Sequence, residues 1–125
     1  MSLALSFRKK ADSLASDAHY NKAILLRKRA LNIYQSIRPV PFEELVNTYR
    51  TLGYYYRKNG DYKEGEYFQK KAVTLAEQKL SESNPELIKA VNGYGILLLA
   101  KGEYQQCLEL FQRALSICQK TNCPE

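Results

Sequence analysis

The sequence predicts an all-α protein, a solenoid of three helix–turn–helix repeats with six helices in one domain over residues 1–125. Three observations predict it. A 42-residue register runs through the chain. Within each unit apolar residues recur at steps of three and four. The four prolines (Pro39, Pro41, Pro85 and Pro124) leave long stretches free of helix breakers. With 125 residues, 45% of them hydrophobic and 26% charged, the chain is long enough to bury a real core. The units are expected at about 1–40, 42–82 and 84–123, with helices at about 3–17, 20–37, 42–59, 62–81, 85–101 and 104–121.

The first helix opens at Leu3 and carries Phe7, Ala11 and Leu14; Ala18-His19 then stands where later units break with Gly60-Asp61 and Gly102-Glu103. The second helix starts at Tyr20 and runs through Ala23, Ala30, Leu31 and Ile33. Pro41-Phe42-Glu43-Glu44 opens the third helix, with acids facing the positive helix end. Leu45, Tyr49, Leu52 and Tyr56 then lie on one face, and Gly60 suits the left-handed position that ends a helix. The fourth helix repeats the second as Tyr62, Gly65, Ala72, Val73 and Leu75. In the fifth, Ser83-Asn84-Pro85-Glu86 supplies a cap, and Leu87, Val91, Gly95 and Leu98 repeat the core column. The sixth repeats the pattern again as Tyr104, Cys107, Ala114, Leu115 and Ile117. The small columns (Ala11, Gly53, Gly95 and Ala23, Gly65, Cys107) are expected to let helix axes approach to the short end of about 8–10 Å. A helical glycine costs about 1 kcal/mol against alanine, and close helix contact is the expected compensation.

Small residue, aromatic, Gly-Asp/Glu-Tyr turn, small residue, then Lys/Arg-Ala-aliphatic is an order carried by Gly53 to Tyr62 with Lys71-Ala72-Val73. It returns in Gly95 to Tyr104 with Gln112-Arg113-Ala114-Leu115. This order resembles the tetratricopeptide repeat (TPR), and the 42-residue period resembles its kinesin-light-chain type. Unit one departs most: it lacks the turn glycine, Lys10 stands in the column of Leu52 and Tyr94, and Arg27 in that of Phe111. The resemblance implies a right-handed superhelical stack. Its first helices would form a concave groove that holds an extended or helical peptide.

Groove positions off the core face are Leu5, Arg8, Asp12, Asn47, Arg50, Tyr54, Arg57, Lys58, Lys89, Asn92, Ile96 and Leu99. The expected partner contacts are Arg8, Asn47, Arg50, Tyr54, Arg57, Lys89, Asn92 and Ile96. Arg and Tyr dominate binding hot spots, Arg50 suits a carboxylate, and Asn47 and Asn92 suit a peptide backbone. In the Tyr54-Tyr55-Tyr56 run, Tyr56 is expected in the core, Tyr54 toward the groove and Tyr55 over a helix-pair contact. Two better-defined ligands of the resemblance are excluded by residue type. The columns that clamp chaperone C-termini read Leu5, Lys9, Thr51, Lys89 and Gly93, of which only Lys89 agrees. The paired asparagines of kinesin light chains read Arg50-Thr51 and Asn92-Gly93, one of four.

The net charge of +6, 19 basic against 13 acidic residues, is interspersed and contains no basic block, so an acidic protein or peptide partner is expected rather than nucleic acid. No run reaches the roughly 20 apolar residues that span a bilayer. The amino terminus places its charges after a short apolar stretch, the wrong order for a secretion signal, and a cytoplasmic protein is expected. One histidine, His19, and three cysteines without a C-x-x-C exclude a zinc pattern; no metal, cofactor or catalytic set is expected. Cys107 and Cys118 are expected as reduced thiols in a helix, with Cys123 in the tail. The last helix is apolar over too wide an arc for one buried face. A self-association surface of Leu108, Phe111 and Leu115, or continuation of the array, is the expected reason. An oligomerisation or spacer module using that helix is the alternative function.

Overall fold

The computed structural model describes residues 2–121 and contains six helices and no strand among them. They are α1 (Ser2–Ser16), α2 (Tyr20–Ser36), α3 (Phe42–Lys58), α4 (Tyr62–Lys79), α5 (Pro85–Ala100) and α6 (Tyr104–Thr121). The largest departure from expectation is the end of α4, at 79 rather than 81. Helices pair as α1 with α2, α3 with α4 and α5 with α6, while α2 packs on α3, α4 on α5, and the first helices α3 and α5 touch directly. The result is a solenoid of helix–turn–helix repeats. One core cluster joins units one and two through Ala11, Ile24, Tyr34, Leu52 and Tyr55; another joins units two and three through Val46, Ala72, Leu87, Val91 and Ile117.

The three within-unit turns are one motif. Gly60 and Gly102 have φ of 86° and 82°, and Ala18, in the same column, has φ of 62°. In each, the next residue's N–H reaches back to close the helix: His19 to the Leu14 carbonyl at 2.8 Å, Asp61 to Tyr56 at 2.8 Å, Glu103 to Leu98 at 2.9 Å. A second bond joins the left-handed residue itself to the carbonyl three before it, as from Gly60 to Arg57 at 3.0 Å. This is the Schellman arrangement, and it holds in unit one although alanine occupies the glycine position. Side-chain caps start α4 and α5. Asp61 accepts from the Glu64 N–H at 3.2 Å and Asn84 from the Glu86 N–H at 3.0 Å.

Three expectations change. The space over the helical glycines is filled mainly by side chains, not by a facing backbone. A Cβ on Gly53 would lie 2.6 Å from Gln69 Cγ, one on Gly93 2.9 Å from Gln69 Oε1, and one on Gly95 2.8 Å from the Phe111 ring. Only Gly65 meets main chain, 3.1 Å from the Gly53 carbonyl. Tyr55, not Tyr56, is the buried ring of the tyrosine run, while Tyr56 is half-buried and stacks on Phe68 at 5.6 Å. Cys107 is a buried free thiol, but Cys118 is disulfide-bonded, which corrects the expectation of reduced thiols and removes it as a pointer to compartment. Cys123 lies outside the described residues.

Ala18→Gly is expected to stabilise the protein by roughly 0.5–1 kcal/mol, because the left-handed strain it relieves exceeds the added freedom of the unfolded chain. A thermal unfolding midpoint unchanged or lowered would count against this. Gly53→Ala should act the other way. Its helix-propensity gain of about 1 kcal/mol is outweighed by about 1–3 kcal/mol of overpacking against Gln69. Urea denaturation checks this, and adding Gln69→Ala to Gly53→Ala should restore part of the loss.

Candidate functional site

The exposed wall of α1, α3 and α5 is organised by one column of the second helices. Arg27, Gln69 and Phe111 are related by the 42-residue register; Arg27 and Gln69 each reach inward between two first helices, and Phe111 lies against Gly95 of α5. Arg27, on the third turn of α2, is 2% exposed. A buried guanidinium left without partners would be strongly destabilising. Here Nη2 donates to Asp12 Oδ1 at 2.9 Å, and Nη1 donates to Asn47 Oδ1 at 3.2 Å. The Tyr55 hydroxyl donates to the same Asp12 oxygen at 2.6 Å. Burial first, and then the bond to Asp12, push the Tyr55 phenol up to about 12, against a smaller opposing pull from Arg27. It therefore remains a neutral donor. Gln69, buried in the next unit, donates from Nε2 to the Arg50 carbonyl at 3.2 Å.

Two adjoining pockets open on this wall. The first, of about 440 Å³ between α1 and α3, is lined by Arg8, Asp12, Arg27, Asn47, Arg50, Thr51, Tyr54 and Tyr55, with Ala15 and Ser16. The second, of about 250 Å³ between α3 and α5, is lined by Arg50, Tyr54, Arg57, Gln69, Lys89, Asn92, Gly93 and Ile96. All eight residues expected from the sequence as partner contacts line one pocket or the other, and Arg50 and Tyr54 line both. The cations on the wall are Arg8, Arg27, Arg50, Arg57, Lys58 and Lys89; the anions are Asp12 and Glu86. Tyr54 is exposed, with the Arg57 guanidinium 5.3 Å and the Lys58 ammonium 5.9 Å from its ring centre.

Sequence reasoning missed how these charges are already engaged. Glu86 lies 3.6 Å from Arg50 Nε and 3.8 Å from Lys89 Nζ, so one carboxylate of α5 partly neutralises two of the expected contacts. It was legible only as an acid at a helix start. Arg27 and Gln69 were also missed as buried groups. The available signal was polarity in a column whose third member, Phe111, is apolar. On α6, Leu108 and Leu115 are exposed, but Phe111 is half-buried against Gly95 and so belongs mainly to the chain's own packing. His19 is exposed in the α1–α2 turn. Among the described residues no cluster of potential metal ligands occurs, and no helix is long and apolar enough to cross a membrane.

A family model described as tetratricopeptide repeat matches residues 44–121, more than half of the chain. Among solved structures, the TPR domain of Arabidopsis FLU is similar at 15% identity, over 95% of this chain and 97% of that one, with a TM-score of 0.83. BtubC (BKLC) from P. vanneervenii is similar at 19% identity, over 90% of this chain and 44% of that one, with a TM-score of 0.80. Nearly identical TPR-like repeats of a Podosopora anserina protein assigned as a kinesin light chain are similar at 19% identity. That match covers 93% of this chain and 55% of the other, with a TM-score of 0.79. The chain thus spans about half the length of the last two, and at these identities the likeness is one of fold. Among curated protein sequences none matches.

The Tyr55 phenol gives an alkaline signature. Its folded value of about 12 exceeds the unfolded value of about 10, so the native state holds the proton more tightly. Its contribution is whole below about pH 10 and is lost as pH rises through about 12, up to about 2–3 kcal/mol. Urea midpoints at about pH 9 and about pH 11.5 should show this share of the loss in the wild type and not in Tyr55→Phe.

Proposed function

We propose that this chain, which belongs to the tetratricopeptide repeat family, is a non-catalytic scaffold that holds an acidic extended or helical segment of a partner protein against the wall of α1, α3 and α5. Tetratricopeptide repeats are protein-interaction modules. The observation that carries the finer reading is the pair of adjoining pockets lined by five cations (Arg8, Arg27, Arg50, Arg57 and Lys89) against the single carboxylate of Asp12, with an exposed Tyr54 shared between them. Arg8, Asn47, Arg50 and Tyr54 serve the first pocket. Arg57, Lys89, Asn92 and Ile96 serve the second. Charge of this kind sets on-rate and register, while Tyr54 and the exposed Ile96 and Leu99 give the apolar contact that affinity needs.

A second reading is favoured by one comparison along the register. Leu31 and Val73, on α2 and α4, are 8% and 6% exposed, whereas Leu115 in the same column of α6 is 58% exposed. The faces of α2 and α4 pack on the first helix of the following unit; on α6 that face, with Leu108, is open to a further repeat of the array, to a second copy or to a spacer contact.

Paired charge reversals separate the readings. A fluorescent acidic peptide selected from a displayed library against the wild-type chain should bind Arg50→Glu/Arg57→Glu about 100-fold or more weakly. Leu108→Glu/Leu115→Glu should leave that affinity within about twofold and abolish any concentration-dependent association seen by sedimentation. Unchanged peptide affinity in the arginine variant would remove the groove reading.

A further inference from the structure

The α1–α3 pocket has a built floor, and the floor fixes the chemistry it accepts. Asn47 has a carbonyl oxygen that accepts and an amide nitrogen that donates two protons. The buried Arg27 guanidinium occupies the oxygen, Nη1 to Oδ1 at 3.2 Å, which settles the orientation of the amide. Nδ2 is then the free end. Arg27 is in turn immobilised by Asp12, and Asp12 is shared with Tyr55, so the amide rests on a chain of three partnered groups. Arg27 also contributes to the pocket lining, and its buried Nε has no acceptor among the described residues. The Asn47 N–H groups and the Arg8 and Arg50 guanidiniums thus stand beside one half-exposed carboxylate, that of Asp12, whose Oδ1 is taken by Arg27 and Tyr55.

We propose that this pocket is a receptor for one carboxylate side chain of the bound segment, and that Arg27 is the positioning residue that makes it so by holding Asn47 with its amide N–H groups outward. The carboxylate accepts from Asn47 Nδ2 and pairs with the half-buried Arg8 and Arg50 at the rim. A peptide-backbone amide is a poorer occupant. Asparagine recognises a backbone by accepting and donating at once, and here its acceptor faces Arg27. Asn47 thus differs from Asn92, whose amide makes no side-chain bond to a buried guanidinium, and the α3–α5 pocket retains no such selection. This assignment rests on the concave wall being the binding surface.

The test follows side-chain amide and guanidinium resonances by ¹H–¹⁵N nuclear magnetic resonance in the full chain. The probes are an acetylated tetraglutamate amide, its tetraglutamine counterpart and inorganic phosphate. The wild type should bind tetraglutamate at least about tenfold more tightly than tetraglutamine, with shifts in the Asn47 side-chain amide and in the Arg8 and Arg50 Nε–H signals. In Arg27→Gln the preference should fall about threefold or more, and the Asn47 side-chain amide should no longer shift selectively with tetraglutamate, because that amide is free to turn while Arg8 and Arg50 remain. Asn47→Asp keeps an acceptor for Arg27, so it should fold and yet lose tetraglutamate binding about tenfold or more. Should Arg27→Gln fail to fold, Asn47→Asp and Arg8→Gln carry the test. Shifts confined to Arg57, Lys89 and Asn92 would overturn the subsite and leave the groove standing. Phosphate shifting Asn47 where tetraglutamate does not would overturn the carboxylate assignment. Absence of shifts anywhere on the wall would remove subsite and groove together.

Discussion

What a second-helix side chain meets when it passes between two first helices decides the form of the wall of α1, α3 and α5. Positions 27 and 69 occupy that passage, position 111 stands against α5 alone, and the first helices are cut to fit each occupant. Gly53 and Gly93 leave the room that Gln69 fills, and Gly95 leaves room for the Phe111 ring. In unit one the occupant is a guanidinium, and the fit is chemical rather than steric. Asp12, Asn47 and Tyr55 converge on or around it from α1 and α3. The same structural slot thus serves packing at one end of the stack and polar organisation at the other.

The pairing of Arg27 also bears on how the wall carries its positive charge. Exposed cations repel weakly in water, but a buried one needs an acid, and Asp12 supplies it while keeping more than half of its side chain exposed, 54%, to the groove. Glu86 does a related task at the other pocket. It lies in the first turn of α5, where the Asn84 cap and the helix dipole hold it, and from there it steadies Arg50 and Lys89. The positive field of the wall is a remainder after two internal carboxylates have been placed.

The helices and their turns were legible in the sequence because the same columns recur three times, and the left-handed φ of Ala18 shows that the register outlasts the loss of glycine. The identity of the wall residues was legible for the same reason: once the core face is fixed, the remaining face of each first helix follows. Their pairing was not. Arg27 and Asp12 are 15 positions apart on different helices, and nothing in a linear pattern says that their heads meet. Read along the repeat, Arg27 is only a departure of unit one from Phe111 in the same column. The exchange of Tyr55 for Tyr56 as the buried ring reflects one residue, or about 100° of helix rotation, a difference that apolar spacing alone cannot resolve in a run of three identical side chains. The bonding of Cys118 was hidden because an odd count and the absence of a C-x-x-C pointed toward free thiols, whereas a disulfide depends on the distance between two cysteines in space, which their spacing in sequence does not describe.

Arg50 lies on the partition between the two pockets and is already claimed by Glu86, and this couples them. A shift of Arg50 toward α1 would leave Glu86 facing α5 with less compensation, so the electrostatics of the two pockets are not independent. Under the proposed groove reading, acids seated in the two pockets would therefore oppose one another, by the same amount in either order of arrival.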